Sequence, residues 1–181
     1  MPRIHPVNPA TATGDAATQL VATAAAFGGT PNLFTTAAHA PVALEALLGL
    51  FKTLGRSSLG AAVGEQVAIA VAQANGCGYC LSAHTAIGGM HGLDAATLAS
   101  ARHAVASDAK TTAILKLAVA IVGTRGNIDD ATLAAARTAG VSDAEIVEVV
   151  AHVALNVFTN YLNNLCKTVI DFPVVAIEKA A

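Results

Sequence analysis

The amino-acid sequence predicts an all-α protein, a single-domain helical bundle with an internally duplicated helical unit. Of its 181 residues, 54% are hydrophobic, yet only 4% are aromatic and none is Trp. Ala and short aliphatic residues recur at helical spacing, a composition that favours closely packed helices. A chain of this length fits one domain that buries roughly 70% of the surface its unfolded form exposes. We expect one domain over residues 1–181, in which residues 1–14 form an extended N-terminal segment.

Pro and Gly divide the chain into about eight helical segments. Asp15 is positioned to cap the first helix, and two Gly residues predict that this helix ends at Phe27. A short helical segment over 34–39 comes next. Pro41 is predicted at the start of the following helix, where its fixed φ is favourable, and Gly55 ends that helix.

The middle of the chain carries the motif region, residues 61–90. The string EQVAIAVAQAN predicts a largely buried helix over 61–75, because it is apolar at most positions. Gly76 stops this helix, so Cys77 falls near the start of the next one. The final helix opens with SDAE, in which Ser142 and Glu145 form a capping box, and its apolar stripe extends to about Cys166.

Two segments of the second half resemble each other. Residues 93–109 align with residues 128–144 without gaps, which indicates a duplicated unit in which a capped helix leads into another helix. Two copies are too few for a solenoid. The residues shared by the two copies include Asp94 and Asp129, Thr97 and Thr132, Arg102 and Arg137, and Ser107 and Ser142.

Charge and hydropathy limit the partners. Charged residues make up 12% of the chain and the net charge is -2, so no basic surface is available for nucleic acid. The mean hydropathy is +0.58, yet no stretch of about 20 continuous apolar residues would span a membrane. The excess apolar surface predicts a homo-oligomer. The N-terminus lacks the apolar run of a secretory signal, so we expect a reducing cytoplasm.

The stretch NGCGYCLSAHTA, residues 75–86, concentrates the reactive side chains. Cys77 and Cys80 lie about one helical turn apart, close enough for a disulfide, and a helix N-terminus lowers the pKa of a thiol. His84 follows Cys80 by four residues and so lies on the same helix face, where it can take the thiol proton. Glu65 in the preceding apolar helix needs a partner, and we expect it to orient His84.

Packing and metal binding are the competing interpretations of this stretch. Three reactive side chains within eight residues are an improbable choice for packing alone, whereas the isolated Cys166 is interpreted as a buried hydrophobe. Zinc would have Cys77, Cys80, His84 and Glu65 as ligands, but a second CxxC or His pair is absent from the sequence. We therefore predict no metal.

Other polar residues have no motif around them. Glu45 is interpreted as solvated. His152 shares a helix face with Asn156 and Asn160, a polar stripe that would line a channel or an inter-subunit contact, and the sequence leaves its role open. The remaining histidines are interpreted as surface or locally hydrogen-bonded residues: His5, His39, His91 and His103.

The spacing of Glu65, Cys77, Cys80 and His84, separated by eleven, two and three residues, resembles the core motif of the alkylhydroperoxidase D-like proteins. These belong to the carboxymuconolactone decarboxylase superfamily, and the segment PNLFTTAAHAPVALEALLGLF is similar to helices of its peroxidase-related branch. The resemblance covers most of the chain, as far as FTNYLNN. It implies an all-helical, internally duplicated fold and assembly into trimers or hexamers.

The resemblance also implies an activity. Glu65 and His84 would deprotonate Cys80, which would attack a small organic hydroperoxide and become a sulfenic acid. Cys77 would then form the Cys77–Cys80 disulfide, which an external dithiol or lipoyl-type reductant protein would reduce, without any bound cofactor. Where relatives have a histidine before the second cysteine, this chain has Tyr79, which cannot act as a base near neutral pH but can hydrogen-bond to a thiolate or a peroxide oxygen.

Two alternatives stay open beside the peroxidase. One is a lyase resembling carboxymuconolactone decarboxylase, which is disfavoured by the CxxC pair and by the lack of an Arg near it for a substrate carboxylate. The other is a non-catalytic oligomer that senses a metal or thiols.

Overall fold

Helices form wherever Ala and aliphatic residues recur between Pro and Gly. The structure, a computed structural model, describes residues 1–178, and within them it contains nine α-helices and no strand. The all-α, single-domain fold is thus confirmed, while the last three residues of the predicted 1–181 domain lie outside the described part. The helices are α1 Gly14–Phe27, α2 Asn32–Ala37, α3 Pro41–Leu54, α4 Gly60–Ala74, α5 Gly78–Met90, α6 Ala95–Ala101, α7 Ala109–Thr124, α8 Asp130–Thr138 and α9 Asp143–Cys166.

Most helix ends follow from their capping residues. Gly28 ends α1 with a φ of 70°, a left-handed conformation that Gly adopts without strain. Pro41 is the first residue of α3. The capping box at the start of α9 is present in full, because Ser142 and Glu145 each accept a backbone N–H of the other. These three predictions are confirmed.

Three details of the helix prediction are wrong. Asp15 does not cap α1, since Thr13 is the N-cap residue and Asp15 lies in the first turn, where its charge favours the helix dipole. The short second helix begins two residues early, directly after Pro31. Pro and Gly alone also do not mark the break between α6 and α7, which only the alignment of the two similar segments predicts; there Ala104 takes a left-handed φ of 55° without being Gly.

The core is built around α4. This helix packs against α5, α7 and α9, so it is apolar on nearly every side. Its residues from Gln66 to Ala72 are all buried, and Val67, Ile69 and Val71 are fully so. At the opposite end of the bundle, α1, α2 and α3 are joined by the rings of Phe27, Phe34 and Phe51. Glu65 directly precedes this buried stretch, so the packing of α4 holds its half-buried side chain in place.

The two similar segments adopt similar local structures. Asp94 caps the short α6 before the long α7, and Asp129 caps the short α8 before the long α9. The two arginines of the alignment differ in their partners, however. Arg102 hydrogen-bonds to Gln73 of α4, whereas Arg137 pairs with Asp143. The shared residues therefore specify helix starts, and the long helices then diverge.

Both ends of the chain lie against the bundle. Residues 1–13 contain no helix, and the backbone N–H of Arg3 donates to the carbonyl of Cys166, 2.7 Å away. The C-terminal segment, residues 167–178, crosses the start of α5. There the N–H of Val175 donates to Ser82 Oγ over 3.0 Å, and Phe172 packs edge-on against Tyr79.

Among the helices of residues 1–178, none combines the length and the apolar character needed to cross a bilayer. Cys166 is fully buried and Glu45 is exposed, as the sequence predicts.

Candidate active site

The two motif cysteines lie at the start of α5. Gly76 has a positive φ of 63° and turns the chain out of α4. Cys77 is the N-cap residue of α5, and its Sγ accepts the backbone N–H of Cys80, 3.4 Å away. Both are free thiols, with 0% of Cys77 and 2% of Cys80 exposed. The start of the helix thus brings the two sulfurs together in the interior, as the spacing predicts.

The two thiols differ in acidity. The pKa of Cys80 is lowered to about 6, chiefly by a hydrogen bond from the Cys77 thiol, with burial opposing and the charge of His84 assisting. The same hydrogen bond, together with burial, raises the pKa of Cys77. When the pair of thiols loses one proton, the negative charge is therefore on the sulfur of Cys80, and Cys77 stays protonated.

The α9 helix supplies amide groups to this charge, one of which the sequence prediction missed. Asn163 Nδ2 donates to Cys80 Sγ over 3.2 Å. Asn163 and Asn160 both lower the pKa of Cys80. Asn160 Nδ2 and Asn163 Oδ1 are buried without a hydrogen-bond partner among residues 1–178. Asn163 extends the predicted His152, Asn156, Asn160 stripe by a further turn of α9, and that spacing is the signal that points to it.

The predicted pair of Glu65 and His84 is present. Glu65 Oε2 and His84 Nδ1 are 2.8 Å apart, with 17% and 13% of the two side chains exposed. Burial lowers the pKa of His84, but the charge and hydrogen bond of Glu65 and the charge of Cys80 outweigh it, so the pKa is raised. A raised pKa favours imidazolium beside the thiolate, which is the arrangement that the spacing of Cys80 and His84 predicts.

Tyr79 has a different contact from the predicted one. Its hydroxyl accepts the backbone N–H of Leu33 at 3.1 Å and faces the carboxylate of Asp171, while burial raises its pKa. Within the described residues it makes no hydrogen bond to Cys80. The phenol instead joins α5 to α2 and to the C-terminal segment, because consecutive side chains of a helix point about 100° apart, so Tyr79 and Cys80 face different neighbours.

A cavity of about 290 Å³ opens beside the Glu65–His84 pair. Side chains of α3, α4, α5 and α9 form its wall, and the two thiols lie outside this lining, behind His84. The wall is partly apolar and partly polar. Its apolar side chains include Phe51, Leu54, Ala68 and Leu155, and its polar side chains include Glu65, His84, His152 and Asn156.

The polar stripe of α9 joins the cavity to the thiols. His152 and Asn156 line the cavity, and Asn160 and Asn163 follow on the same buried face toward Cys80. His152 Nε2 lies 3.0 Å from Ser57 Oγ, and burial lowers the pKa of His152 against the opposing charges of Glu148 and Glu65. The stripe therefore faces the interior, and its imidazole is neutral at pH 7.

The remaining predicted groups lie elsewhere. His39 contacts the carbonyl of His5 and His103 pairs with Glu178, whereas His91 is at the rim of the cavity. In the part of the chain that the structure describes, no three His, Cys, Asp or Glu side chains converge as metal ligands.

Comparison with known proteins gives one family match and several similar folds. Residues 41–115 match the model of the carboxymuconolactone decarboxylase family. Among curated protein sequences, no match was found.

Solved structures share the fold at low sequence identity. The alkylhydroperoxidase AhpD core of an uncharacterized peroxidase-related protein from Ralstonia eutropha JMP134 is 22% identical, with a TM-score of 0.83 over 94% of this chain and 92% of that one. A peroxidase-related protein from Silicibacter sp. TM1040 is 21% identical, with a TM-score of 0.80 over 93% and 91% of the two chains.

A third similar structure is the debrominase Bmp8, which is 21% identical with a TM-score of 0.78 over 93% of this chain and 91% of that one. The family match includes Glu65, both motif cysteines and His84. The central part of the chain, residues 41–115, is thus similar to the carboxymuconolactone decarboxylase family, and the fold is that of the AhpD-like, peroxidase-related proteins.

Proposed function

We propose that the protein is a thiol-dependent peroxidase that reduces small organic hydroperoxides. The observation that carries this proposal is the buried, acidic Cys80 thiol, which is hydrogen-bonded to Cys77 and lies one turn before the Glu65–His84 pair. A thiolate is the reactive form of cysteine, and a second thiol beside it can resolve the oxidised product. The family and the similar peroxidase-related structures support an enzyme of this kind.

The chemical cycle follows from the positions of these groups. The Cys80 thiolate attacks the terminal oxygen of ROOH, the O–O bond breaks, and imidazolium His84 gives its proton to the leaving RO⁻, which departs as ROH. Cys80 becomes a sulfenic acid. The Cys77 sulfur then attacks the Cys80 sulfur, the S–O bond breaks, and water leaves with the Cys77 proton and the hydroxyl group. The balance is one peroxide reduced to alcohol and water, and two thiols oxidised to one disulfide.

Closing the cycle requires two electrons from outside. A dithiol, free or carried on a lipoyl-type protein, would exchange with the Cys77–Cys80 disulfide and leave both thiols reduced. The protein itself holds no further cysteine at the site, because Cys166 is buried elsewhere on α9. A reducing cytoplasm, which would favour such a donor, stays a prediction.

A homo-oligomer, trimer or hexamer, belongs to the same proposal. The outward face of α9 carries four exposed apolar side chains at helical spacing, Val147, Val150, Tyr161 and Leu165. Monomers rarely leave such a stripe in water, so a second copy is its natural cover. Light scattering on the wild type and on Tyr161→Lys tests this, because the charged variant should lower the molar mass. A wild-type monomer would contradict it.

The alternatives have weaker support. A lactone-acid lyase needs a cation for the substrate carboxylate, but no Lys or Arg lines the cavity. A metal sensor is the second alternative, and the metal content of the protein as purified would distinguish it from the peroxidase.

The decisive experiment counts free thiols before and after one equivalent of cumene hydroperoxide. Reduced, metal-free wild type should lose two thiols within seconds to minutes, without an intersubunit crosslink. Cys80→Ser should not react quickly, Cys77→Ser should stop at the sulfenic acid, and Cys166→Ser is the matched control that should behave as wild type. If the wild type keeps all three thiols, the peroxidase proposal is wrong. A parallel incubation uses 2,3,4-tribromopyrrole, the compound bound to a variant of the similar debrominase Bmp8, and its loss with retained peroxide would instead favour dehalogenation.

A further inference from the structure

The cavity beside Glu65 and His84 has the features of a ligand pocket. Its volume of about 290 Å³ lies at the small end of the range of such pockets, roughly 300–1,000 Å³. One part of the wall is apolar, with Phe51, Leu54 and Leu155, while a few polar groups converge on the same space. This combination suits a small molecule with an apolar body and a hydrogen-bonding head.

His152 is a buried polar group that the proposed cycle does not use. Only 8% of the residue is exposed, and it lines the cavity. Its Nε2 is occupied by Ser57 at 3.0 Å, which holds the ring in place, but its Nδ1 makes no hydrogen bond within residues 1–178. This Nδ1 is not among the fully buried atoms that lack a partner, so it keeps surface that a molecule in the cavity can contact. A ligand in the cavity would supply the missing partner.

Charge selects among ligands. No Lys or Arg lines the cavity, and the carboxylate of Glu65 is already paired with His84. The imidazolium of His84 lines the cavity, but Glu65 and the Cys80 thiolate already balance its charge, so a ligand carboxylate or phosphate would lose its hydration without gaining a free cation. An uncharged ligand pays no such penalty.

We propose that this cavity binds a small uncharged organic molecule, and that His152 Nδ1 hydrogen-bonds to its polar head group. Under the proposed function, on which this identification rests, the molecule is the hydroperoxide and its alcohol product. His84 lines the same cavity and lies one helical turn after Cys80 on α5, so the residue that lines the cavity is also the neighbour of the reactive thiol. His152 is thus a substrate-binding residue outside the cysteine motif.

Binding is measured with cumyl alcohol, the unreactive product of cumene hydroperoxide, by chemical-shift titration of the wild-type protein and of Cys80→Ser. Both proteins should bind the alcohol. Benzoate, which also carries a phenyl ring but is negatively charged, should not bind. Ala61→Leu fills the mouth of the cavity and should weaken binding tenfold or more, whereas Ala99→Leu, the same change on the exposed surface of α6, should leave it unchanged.

His152→Phe keeps a ring but removes both nitrogens, so it should weaken alcohol binding by about five- to tenfold, the effect of one hydrogen bond. In turnover it should raise KM for cumene hydroperoxide and leave kcat and the pH profile of Cys80 alkylation unchanged. If His152→Phe does not fold, the Ala61→Leu variant and the benzoate measurement still decide whether the cavity binds the alcohol.

Two results would overturn the inference: alcohol binding that neither Ala61→Leu nor His152→Phe weakens, or benzoate that binds as tightly as the alcohol. Alcohol binding of the expected pattern without thiol loss to peroxide would support the pocket and contradict the peroxidase. Thiol loss to peroxide without alcohol binding would do the reverse.

Discussion

The two walls that enclose the site differ in how they handle charge. The wall of α4 and α5 carries the ionisable groups, Glu65, His84 and Cys80, whose charges alternate and favour one another. The wall of α9 is also polar and buried, but its side chains from His152 to Asn163 are neutral. A neutral amide stabilises a thiolate without competing for the proton, so the second wall strengthens the charge that the first wall creates.

Replacing His84 should have the largest effect on this arrangement. His84→Ala removes the imidazolium beside Cys80 and the proton donor for the leaving alkoxide, so peroxide turnover should fall by about 10²–10⁴-fold. The rate of Cys80 oxidation in single-turnover experiments measures this. The pH midpoint of iodoacetamide alkylation should rise at the same time, and an unchanged midpoint would remove His84 from the relay.

Neutralising Glu65 should have the second-largest effect. Glu65→Gln keeps a hydrogen-bonding side chain but removes the charge that raises the pKa of His84, so imidazolium is lost at a lower pH. Turnover near pH 7 should fall by about tenfold or more, while the free energy of unfolding changes little. Steady-state turnover and urea unfolding are measured side by side. Full turnover in the variant would make Glu65 a structural residue only.

A negative charge placed on the α9 wall should have a smaller effect, which is a rise in the pH midpoint of Cys80 alkylation. In the wild type, Cys80 alkylation should rise with pH through a midpoint near 6, because the lowered pKa leaves the thiolate dominant above it. Asn163→Asp places a carboxylate against Cys80 Sγ and should raise that midpoint by about one pH unit.

Asn164→Asp is the matched control for this change. Asn164 is exposed and adjacent on α9, so the same added charge should leave the midpoint within a few tenths of a pH unit. Equal shifts in both variants would mean that net charge, and not the contact with Cys80, sets the reactivity of the thiol.

The smallest effect is expected at the far end of the α9 wall. Ser57→Ala removes the partner of His152 Nε2 without touching Cys80. The imidazole should stay neutral at pH 7, because burial is the main cause of its lowered pKa, and oxidation of Cys80 should be unchanged. Histidine resonances followed by NMR against pH check the first point. A His152 that titrates above pH 7 in the variant would show that Ser57 holds it neutral.

The α4 and α5 wall was predictable from sequence, and the α9 wall only in part. Glu65, Cys77, Cys80 and His84 are close in the chain, so helix periodicity and the cost of a buried carboxylate suffice to bring them together. Asn163 lies far from Cys80 in sequence, and only the packing of α9 on α5 makes them neighbours.

The direction of a single side chain is equally hard to predict. The predicted contact of Tyr79 with a thiolate or a peroxide oxygen was based on its position next to Cys80 in the chain. Adjacent residues of a helix, however, point to different faces. The hydroxyl therefore meets Leu33 of α2, which the sequence leaves nearly fifty positions away. Helix starts, by contrast, depend on residues within one turn, and the capping box at Ser142 is predicted in full.

In the proposed cycle, we expect the C-terminal segment that crosses the start of α5 to affect how fast the protein is reduced. Cys77 has no exposed surface, and Ile170 and Phe172 pack on its neighbours Gly78 and Tyr79. A protein-borne dithiol reaches such a sulfur only after this segment separates from α5. In the proposed cycle, the rate of disulfide reduction would then rise with donor concentration to a plateau, and the height of that plateau would be the opening rate of the chain itself.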